Sequence, residues 1–555
     1  MKFFKNSRLL IVILALGALL RLWGLSNTPP HLTNDEAALG YNAYSILKTA
    51  RDEHGEFLPV IFKSFGDWKP GLYIYLDVPF IATLGLNEFA TRLPSALAGI
   101  LAIWLLYLIV LKLFNKPRLA ILTSFFLAIS PWHLQFSRGA WEANIALTLT
   151  LAGIYFFLTA VNGVSRQLVY SAIFFALTLW TYQGAKLASA IIILGLVVAF
   201  FRDFIKIPRN IIINSVVLGV LISVPVLISL LQGKTGRLEV YSAFSYERPP
   251  EAIQEILKPD KVGVDSWQYV LFHSERLNFT RGILSRWFNH YSGRFLFFEG
   301  DWQNPRNGVP NAGVILLLDS IFLLAGLVAL ARLGKNNAAI FLWLWFILAS
   351  LPAALSRDQV QAVRSFNMVI PLTIILALGV DYWWGKRERF GRILIFVVPI
   401  FILSYLANYF YYLDQYWVHA PTKNSQYWQY GYKQMVEKVV PLENKYREII
   451  IKQDYAQPYI FFLFYQKYDP EKYQKVSEEV FVPNQYGDVG LISRLDNIVF
   501  REINWSADQG MSGKLFIVDP IKVPVKDSSD PKEFKLTDEI KFLNGESAFR
   551  FLEIL

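Results

Sequence analysis

Up to about residue 413 the chain alternates long apolar runs with short polar breaks. A membrane-spanning helix needs about 20 mostly apolar residues, with a range of about 17–25. Such runs lie near 8–26, 92–114, 118–132, 140–161, 167–183, 186–201, 209–231, 312–332, 338–355, 366–384 and 392–413. They predict about eleven transmembrane helices, of which the third and sixth are short. The segment "GLYIYLDVPFIATLGL" (71–86) is apolar but short and holds Asp77 and Pro79. It reads as an amphipathic segment on the membrane surface. After 413 the pattern changes. "REIIIKQDYAQPYIFFLFYQKYDPEKYQ" predicts a strand followed by a helix or a second strand, and "KLFIVDP" a strand ending at Pro520. The expected fold is therefore mainly α. A polytopic membrane domain (1–413, long loops 27–91 and 232–311) precedes a separate small α/β or α+β domain (414–555).

Composition agrees with this division. The 555 residues are 54% hydrophobic and 18% charged, against about 45–50% and about 25% for a soluble domain. There is no Cys, which excludes disulfides and thiolate metal sites. The net charge of +10 is spread in short clusters between apolar runs, so topology accounts for it and a nucleic-acid partner is not implied. The basic, then apolar start (1–25) has no small-x-small cleavage pattern and is expected to stay as a signal anchor.

The clusters also assign sides. One set of loops holds Lys2, Lys5, Arg8, Lys112, Lys116, Arg118, Arg166, Arg202, Lys206, Arg209, Arg332, Lys335, Lys386, Arg387, Arg389 and Arg392. The alternate short loops hold only Arg138, Lys186, Arg357 and Arg364. The positive-inside rule makes the first set cytoplasmic. The N-terminus is then inside. The loops 27–91 and 232–311 and everything after 413 are outside, on a multi-pass protein of the plasma membrane.

The chemistry concentrates in the first outer loop. "NTPPHLTNDEAALGYNA" (27–43) carries Asp35 and Glu36, and "FGDWKPGLYIYL" carries Asp67, Trp68 and Lys69. A carboxylate at the membrane surface can act as a general base on a hydroxyl, and a lysine can hold a lipid phosphate. The plainer reading is a helix cap: Thr33 or Asn34 as N-cap with acids in the first turn. The two readings are compatible. Arg138 either caps a helix end or meets phosphate, and Arg364 either pairs with Asp358 or meets phosphate. Arg21 reads as a snorkelling or packing residue, or as a partner of the acidic loop. Asp319 lies within a span and is assigned no role. In "NHYSGRFLFFEGDWQNPRNGVPNAG" (289–313), the aromatics with His290, Asp301, Asn304 and Arg306 either line an acceptor cleft, to which Asp67 and Trp68 would add, or pack an ordinary loop. The Tyr- and Trp-rich segment 411–434 reads as an interfacial aromatic belt, with sugar stacking as a weaker alternative.

The stretches "DEAALGYNAYSI", "FGDWKPGLYIYL" and "LNEFATRLPSALAGILAI" together resemble the first outer loop and second span of the polyprenyl-phosphate-sugar-dependent glycosyltransferases of GT-C fold. That superfamily includes the lipid A aminoarabinose transferases and the protein O-mannosyltransferases. "SPWHLQFSRGAWEANIAL" (130–147) and "RSFNMVIPLTIILALG" (364–379) look like further family segments. The resemblance implies an inverting transfer of a sugar from a polyprenyl-phosphate donor to a lipid, glycan or protein acceptor. The transition state would be oxocarbenium-like. Asp35 would be the base and Glu36 its support, with Lys69, Arg138 and Arg364 around the phosphate. One departure matters. The aminoarabinose transferases carry a Glu, associated with metal binding, immediately before the loop lysine. Here that residue is Trp68, with Asp67 one place earlier. The metal arrangement left open is a divalent ion held by Asp35 or Glu36 with His290, since none of the six His is at ligand spacing from a second. No other cofactor is implied.

Three other functions compete with transfer of a single sugar: oligosaccharide ligation, transport or lipid flipping, and a non-catalytic membrane anchor for the C-terminal domain, for which eleven spans are excessive. Transporters commonly show repeated halves and midplane polar residues. This chain shows no clear halves, and its polar residues gather in outer loops. The side assignment has a direct test. A reporter fused after Leu555 is expected to be active outside the membrane; activity in the cytoplasm would invert the assignment.

Overall fold

The computed structural model describes residues 2–234, 242–245, 247–391, 394–453, 457–482, 490–503, 508, 513–519 and 534–554, with backbone alone at 2–7, 389–390, 534 and 554. Among the residues used above to assign sides and strands, Arg392, Pro520 and the side chains of Lys2, Lys5 and Arg389 lie outside this set.

Each predicted apolar run holds a helix among its described residues. The first are α1 (Lys2–Leu22), α4 (Glu88–Phe114), α5 (Pro117–Ile129), α7 (Glu142–Val161), α8 (Gln167–Thr178) and α9 (Ala185–Ala199). Arg209–Leu231, Asp319–Arg332, Asn337–Leu348, Val369–Gly385 and Leu394–Asp414 complete the bundle. Not all are long. Among the described residues, six helices are long and apolar enough to cross a membrane, or seven if α5 is joined across a 58° bend to α6 (Pro131–Ser137). Ser130 and Pro131 make that bend: proline cannot donate to the preceding turn, and Ser130 instead caps α6 by accepting from His133 N–H. The 14 residues of Asp319–Arg332 rise only about 21 Å, short of a hydrocarbon core of about 30 Å.

Two ionisable residues of the bundle gain definite partners. Arg21 does not reach the acidic loop. It is fully buried and donates to the carbonyls of Gly17, Leu127 and Ala128, with His133 Nδ1 at 2.7 Å. Leu127 and Ala128 belong to the last turn of α5, so Arg21 satisfies carbonyls that have no partner within that helix. Asp319 accepts from the Tyr405 hydroxyl at 2.8 Å and from Leu316 N–H at 3.0 Å.

Outside the bundle, the first loop forms α2 (Asn34–Thr49), the hairpin β1 (Ile61–Ser64) and β2 (Asp67–Pro70), and α3 (Leu72–Leu84). The segment 71–86 is thus a helix. It buries Tyr73, Ile74, Asp77 and Ile81 and exposes Leu76 and Leu84. Beyond the bundle, β4 (Phe481–Val482) and β5 (Leu491–Ile492) pair by themselves, while β3 (Ile449–Ile451), β6 (Arg494–Leu495), β7 (Ile498–Phe500), β8 (Leu515–Val518), β9 (Phe534–Lys541) and β10 (Ser547–Ile554) form a sheet in the order β6-β7-β3-β8-β10-β9. β3 runs parallel to β7 and β8; the other pairs are antiparallel. The second element after Ile451 is a helix, Pro458–Tyr465. It lies against α2, and one hydrophobic core joins Tyr41, Phe62 and Tyr73 of the first loop to Tyr432, Ile460, Phe461 and Phe464. The predicted aromatic belt is in part buried: Tyr412, Tyr416 and Trp428 are inside the protein, where their apolar rings pack against neighbouring elements.

The tightest helix contact is made by glycine. A Cβ on Gly379 would stand 2.0 Å from Phe322 O, and one on Gly326 would stand 1.9 Å from Ile375 O. Each glycine lets the helices Asp319–Arg332 and Val369–Gly385 meet backbone to backbone. Gly379→Val is expected to lose about 1–3 kcal/mol or more through overpacking. Thermal unfolding in detergent, followed by size exclusion, would show a lower midpoint; an unchanged midpoint would refute the contact.

Candidate active site

The sequence "LTNDEAAL" builds the first wall of the site. Thr33 is extended (φ −76°, ψ 163°) and caps α2. Its Oγ1 accepts from Glu36 N–H at 3.2 Å, while Glu36 Oε2 accepts from Thr33 N–H at 2.9 Å. This reciprocal box fixes the first turn and sends consecutive carboxylates in different directions. Asp35 faces a cavity of about 850 Å³ and is half-exposed. Glu36 turns inward and is 4% exposed.

The hairpin builds the second wall. Ser64 faces Asp67 across a two-residue turn, Phe65–Gly66, in which both residues are left-handed (φ 53° and 74°). Such a turn matches the natural twist of the strands. The register puts Lys69 opposite Phe62 and directs its ammonium to Asp35, with which it forms an ion pair. Burial disfavours the Lys69 charge, yet Asp35, Glu142 and Asp67 around it hold its pKa above the ordinary lysine value. Lys69 therefore stays cationic when the cavity is empty of ligand.

The remaining walls come from afar. Arg306 Nη1 lies 3.9 Å from Asp35 Oδ2 and above the Trp141 ring. Arg364 lines the cavity and is paired with Asp358 at 3.3 Å. Glu142, at the start of α7, Arg357, Tyr182 and Gln457 line it as well. Asp67 and Trp68 face it from the hairpin; Asp67 Oδ1 accepts from Trp68 N–H at 2.7 Å, and Lys234 stands over the Trp68 ring. Among the described residues the lining carries the carboxylates of Asp35, Asp67, Glu142 and Asp358 and the cations Lys69, Arg306, Arg357 and Arg364.

Four expected site residues are elsewhere. Glu36 lies behind the cavity. Its Oε1 accepts from Arg92 Nε and from Ala140 N–H, both at 2.9 Å, and its Oε2 from Arg92 Nη2 at 3.2 Å. Arg138 is fully buried and caps the end of α1 through Leu20 O (2.7 Å) and Arg21 O (3.2 Å), with Thr28 O at 2.9 Å. Asp301 organises its own loop, accepting from Ala362 N–H (2.8 Å), Asn307 Nδ2 (3.0 Å) and Asn304. Burial pushes its carboxyl above the usual range. His290 donates from Nδ1 to Arg286 O (2.7 Å) and accepts at Nε2 from Gln361 N–H (3.1 Å). Burial lowers its pKa to about 4. Both ring nitrogens of His290 and both Glu36 oxygens are thus engaged within the protein. Among the described residues no three His, Asp or Glu side chains group as metal ligands.

Glu142, in "SRGAWEANIAL", is a lining residue that the sequence pattern does not single out. An acid at the first turn of an apolar helix was its only signal. Gln457 gave none.

The Glu36–Arg92 pair is the most consequential contact behind the site. Removing one partner of a buried pair typically costs about 3–5 kcal/mol, whereas an apolar replacement of both is far milder. Arg92→Met is therefore expected to destabilise strongly, and Arg92→Met with Glu36→Met to recover much of the loss. A double-mutant cycle by thermal unfolding measures this; additive losses would show that the residues act independently.

Comparisons with known proteins bear on the fold that carries this site. Residues 69–228, a stretch that begins at Lys69, match the family model of dolichyl-phosphate-mannose-protein mannosyltransferase. No curated protein sequence matches the chain. Among solved structures, ArnT from Cupriavidus metallidurans superposes with a TM-score of 0.54 in the apo state and 0.55 bound to undecaprenyl phosphate. In both, identity is 12% and the match covers 98% of this chain and 97% of that one. The archaeal oligosaccharyltransferase AglB from Archaeoglobus fulgidus, in complex with an inhibitory peptide and a dolichol-phosphate, is 14% identical, with a TM-score of 0.49. The match covers 84% of this chain but 64% of AglB, so the chain spans less than two thirds of that protein. The chain is an integral membrane protein with the GT-C glycosyltransferase fold, along the same course as ArnT.

Proposed function

We propose that the protein is an inverting glycosyltransferase that moves a sugar from a polyprenyl-phosphate donor to a lipid, glycan or protein acceptor at the outer face of the plasma membrane. The observation that carries this reading is the Asp35–Lys69 pair with Arg306 beside it, at the wall of a charged cavity. The undecaprenyl phosphate bound to ArnT and the mannosyltransferase family match support the donor class. In this reading the N-terminus is cytoplasmic. The membrane unit is 1–413, and the unit 414–555 stands outside and closes over the first loop.

The chemistry follows from the charges. The acceptor oxygen attacks the anomeric carbon from the side opposite the phosphate. Its proton passes to Asp35. The bond from the anomeric carbon to the phosphate oxygen breaks, and its electron pair stays on that oxygen. The lipid phosphate leaves with one more negative charge than the donor carried. Lys69, Arg306 and Arg364 meet that charge, which is where preformed cations contribute most. No acid is needed for the leaving group. Glu142 and Asp67 keep Lys69 protonated while the site waits.

Asp35→Asn keeps the shape of the helix start but cannot take the proton. General-base contributions are about 10²–10⁴-fold. Transfer in membranes supplied with polyprenyl-phosphate sugars is expected to fall by at least that lower bound with expression unchanged. Activity within twofold of wild type would remove Asp35 as the base. Lys69→Ala is expected to weaken use of the lipid donor more than use of the acceptor; the reverse would overturn the phosphate assignment.

A further inference from the structure

Asn34, the residue before the proposed base, is held by two glutamines from the unit beyond residue 413. Its backbone N–H donates to Gln429 Oε1 at 2.6 Å. Gln429 Nε2 donates to Asn34 Oδ1 at 3.3 Å, and Asn34 Nδ2 donates to Gln457 Oε1. The order of these bonds fixes the orientation of every amide. A backbone N–H can only donate, so Gln429 must present its oxygen there. Its nitrogen then faces the Asn34 oxygen, which leaves the Asn34 nitrogen to meet the Gln457 oxygen. The relay ends with the Gln457 amide nitrogen, which has no hydrogen-bond partner among the described residues, on a side chain that lines the cavity with Asp35.

We propose that Gln457 is a positioning and specificity residue of the transfer site, whose amide N–H groups hold the oxygen of the acceptor hydroxyl. The inference rests on the proposed transfer reaction and deepens it. A hydroxyl oxygen has one proton and two lone pairs. Asp35 takes the proton, Gln457 donates to one lone pair, and the other attacks the anomeric carbon. The ligand class is a neutral hydroxylated acceptor, and the unit 414–555 contributes directly to its choice. Asn34 transmits the constraint: its backbone N–H and one side-chain N–H are given to the two glutamines, which fixes the side chain that precedes Asp35.

The test compares Gln457→Ala with Gln457→Glu in the full chain, reconstituted in liposomes with an undecaprenyl-phosphate-linked hexose as donor and a short alkyl hexoside as acceptor. Ala removes both the clamp on Asn34 and the N–H groups. Glu keeps an oxygen for Asn34 but has no N–H to offer. Both variants are expected to raise the acceptor KM about 3- to 10-fold, the size of one lost hydrogen bond, with the donor KM unchanged. Glu behaving like wild type while Ala is impaired would reduce Gln457 to a structural clamp and overturn the inference. So would a change confined to the donor KM. If Ala fails to fold, the Glu variant decides alone. Failure of the wild-type chain to consume the donor would instead refute the transfer reaction itself.

Discussion

Everything at the site depends on one buried ion pair that never reaches it. Arg92 spends its guanidinium on Glu36 and on the carbonyls of Leu25, Pro29 and His31. Glu36 spends its carboxylate on Arg92, Thr33 N–H and Ala140 N–H. A buried pair repays its desolvation only when its remaining donors and acceptors are also satisfied, and here they are. The geometry has a second effect. Glu36 is chain neighbour to Asp35, and it holds Ala140, two positions before Glu142. One carboxylate that touches no substrate therefore sets the placing of two that line the cavity.

A related use of charge is made by two further buried arginines. Arg21 ends α5 and Arg138 ends α1, each by donating to carbonyls that a helix leaves without partners at its C-terminus. The negative end of a helix dipole takes the place of a counter-ion. In an apolar surrounding an unpaired carbonyl is expensive, so a guanidinium spanning two or three of them stabilises the junction. The N-terminal helices are in this sense pinned at the ends from which the first loop starts, and that loop has a fixed base.

How much of this was legible in the sequence differs by level. The apolar runs marked every helix of the bundle, because burial in lipid leaves a composition signal that packing does not blur. Helix ends and lengths were not legible where turns such as "TYQG" interrupt apolar stretches. At the site, Asp35 and Lys69 were readable because both lie in one polar loop between apolar segments, and the "TNDE" cap could be recognised. Arg138, Asp301 and His290 misled for a shared reason. A polar residue in an outer loop looks available until one knows which backbone groups it must satisfy. Gln457 could not be found, since its meaning arises only when residue 34 meets residues 429 and 457.

That meeting bears on how the molecule comes into being. The core that holds α2 and the hairpin is completed by the helix Pro458–Tyr465 and its neighbours, and Tyr41 donates to Tyr468 O across 427 residues of sequence. Contacts so distant form late, because the intervening chain must be ordered first. As the chain is synthesised, the loop 27–91 is made early, with Tyr41, Phe62 and Tyr73 lacking their partners until the last quarter of the polypeptide arrives. An insertion machinery or chaperone must tolerate that interval. The cavity is consequently a product of the finished chain: a ribosome that stops short of the C-terminal sheet leaves the proposed base and lysine made, delivered, and not yet assembled.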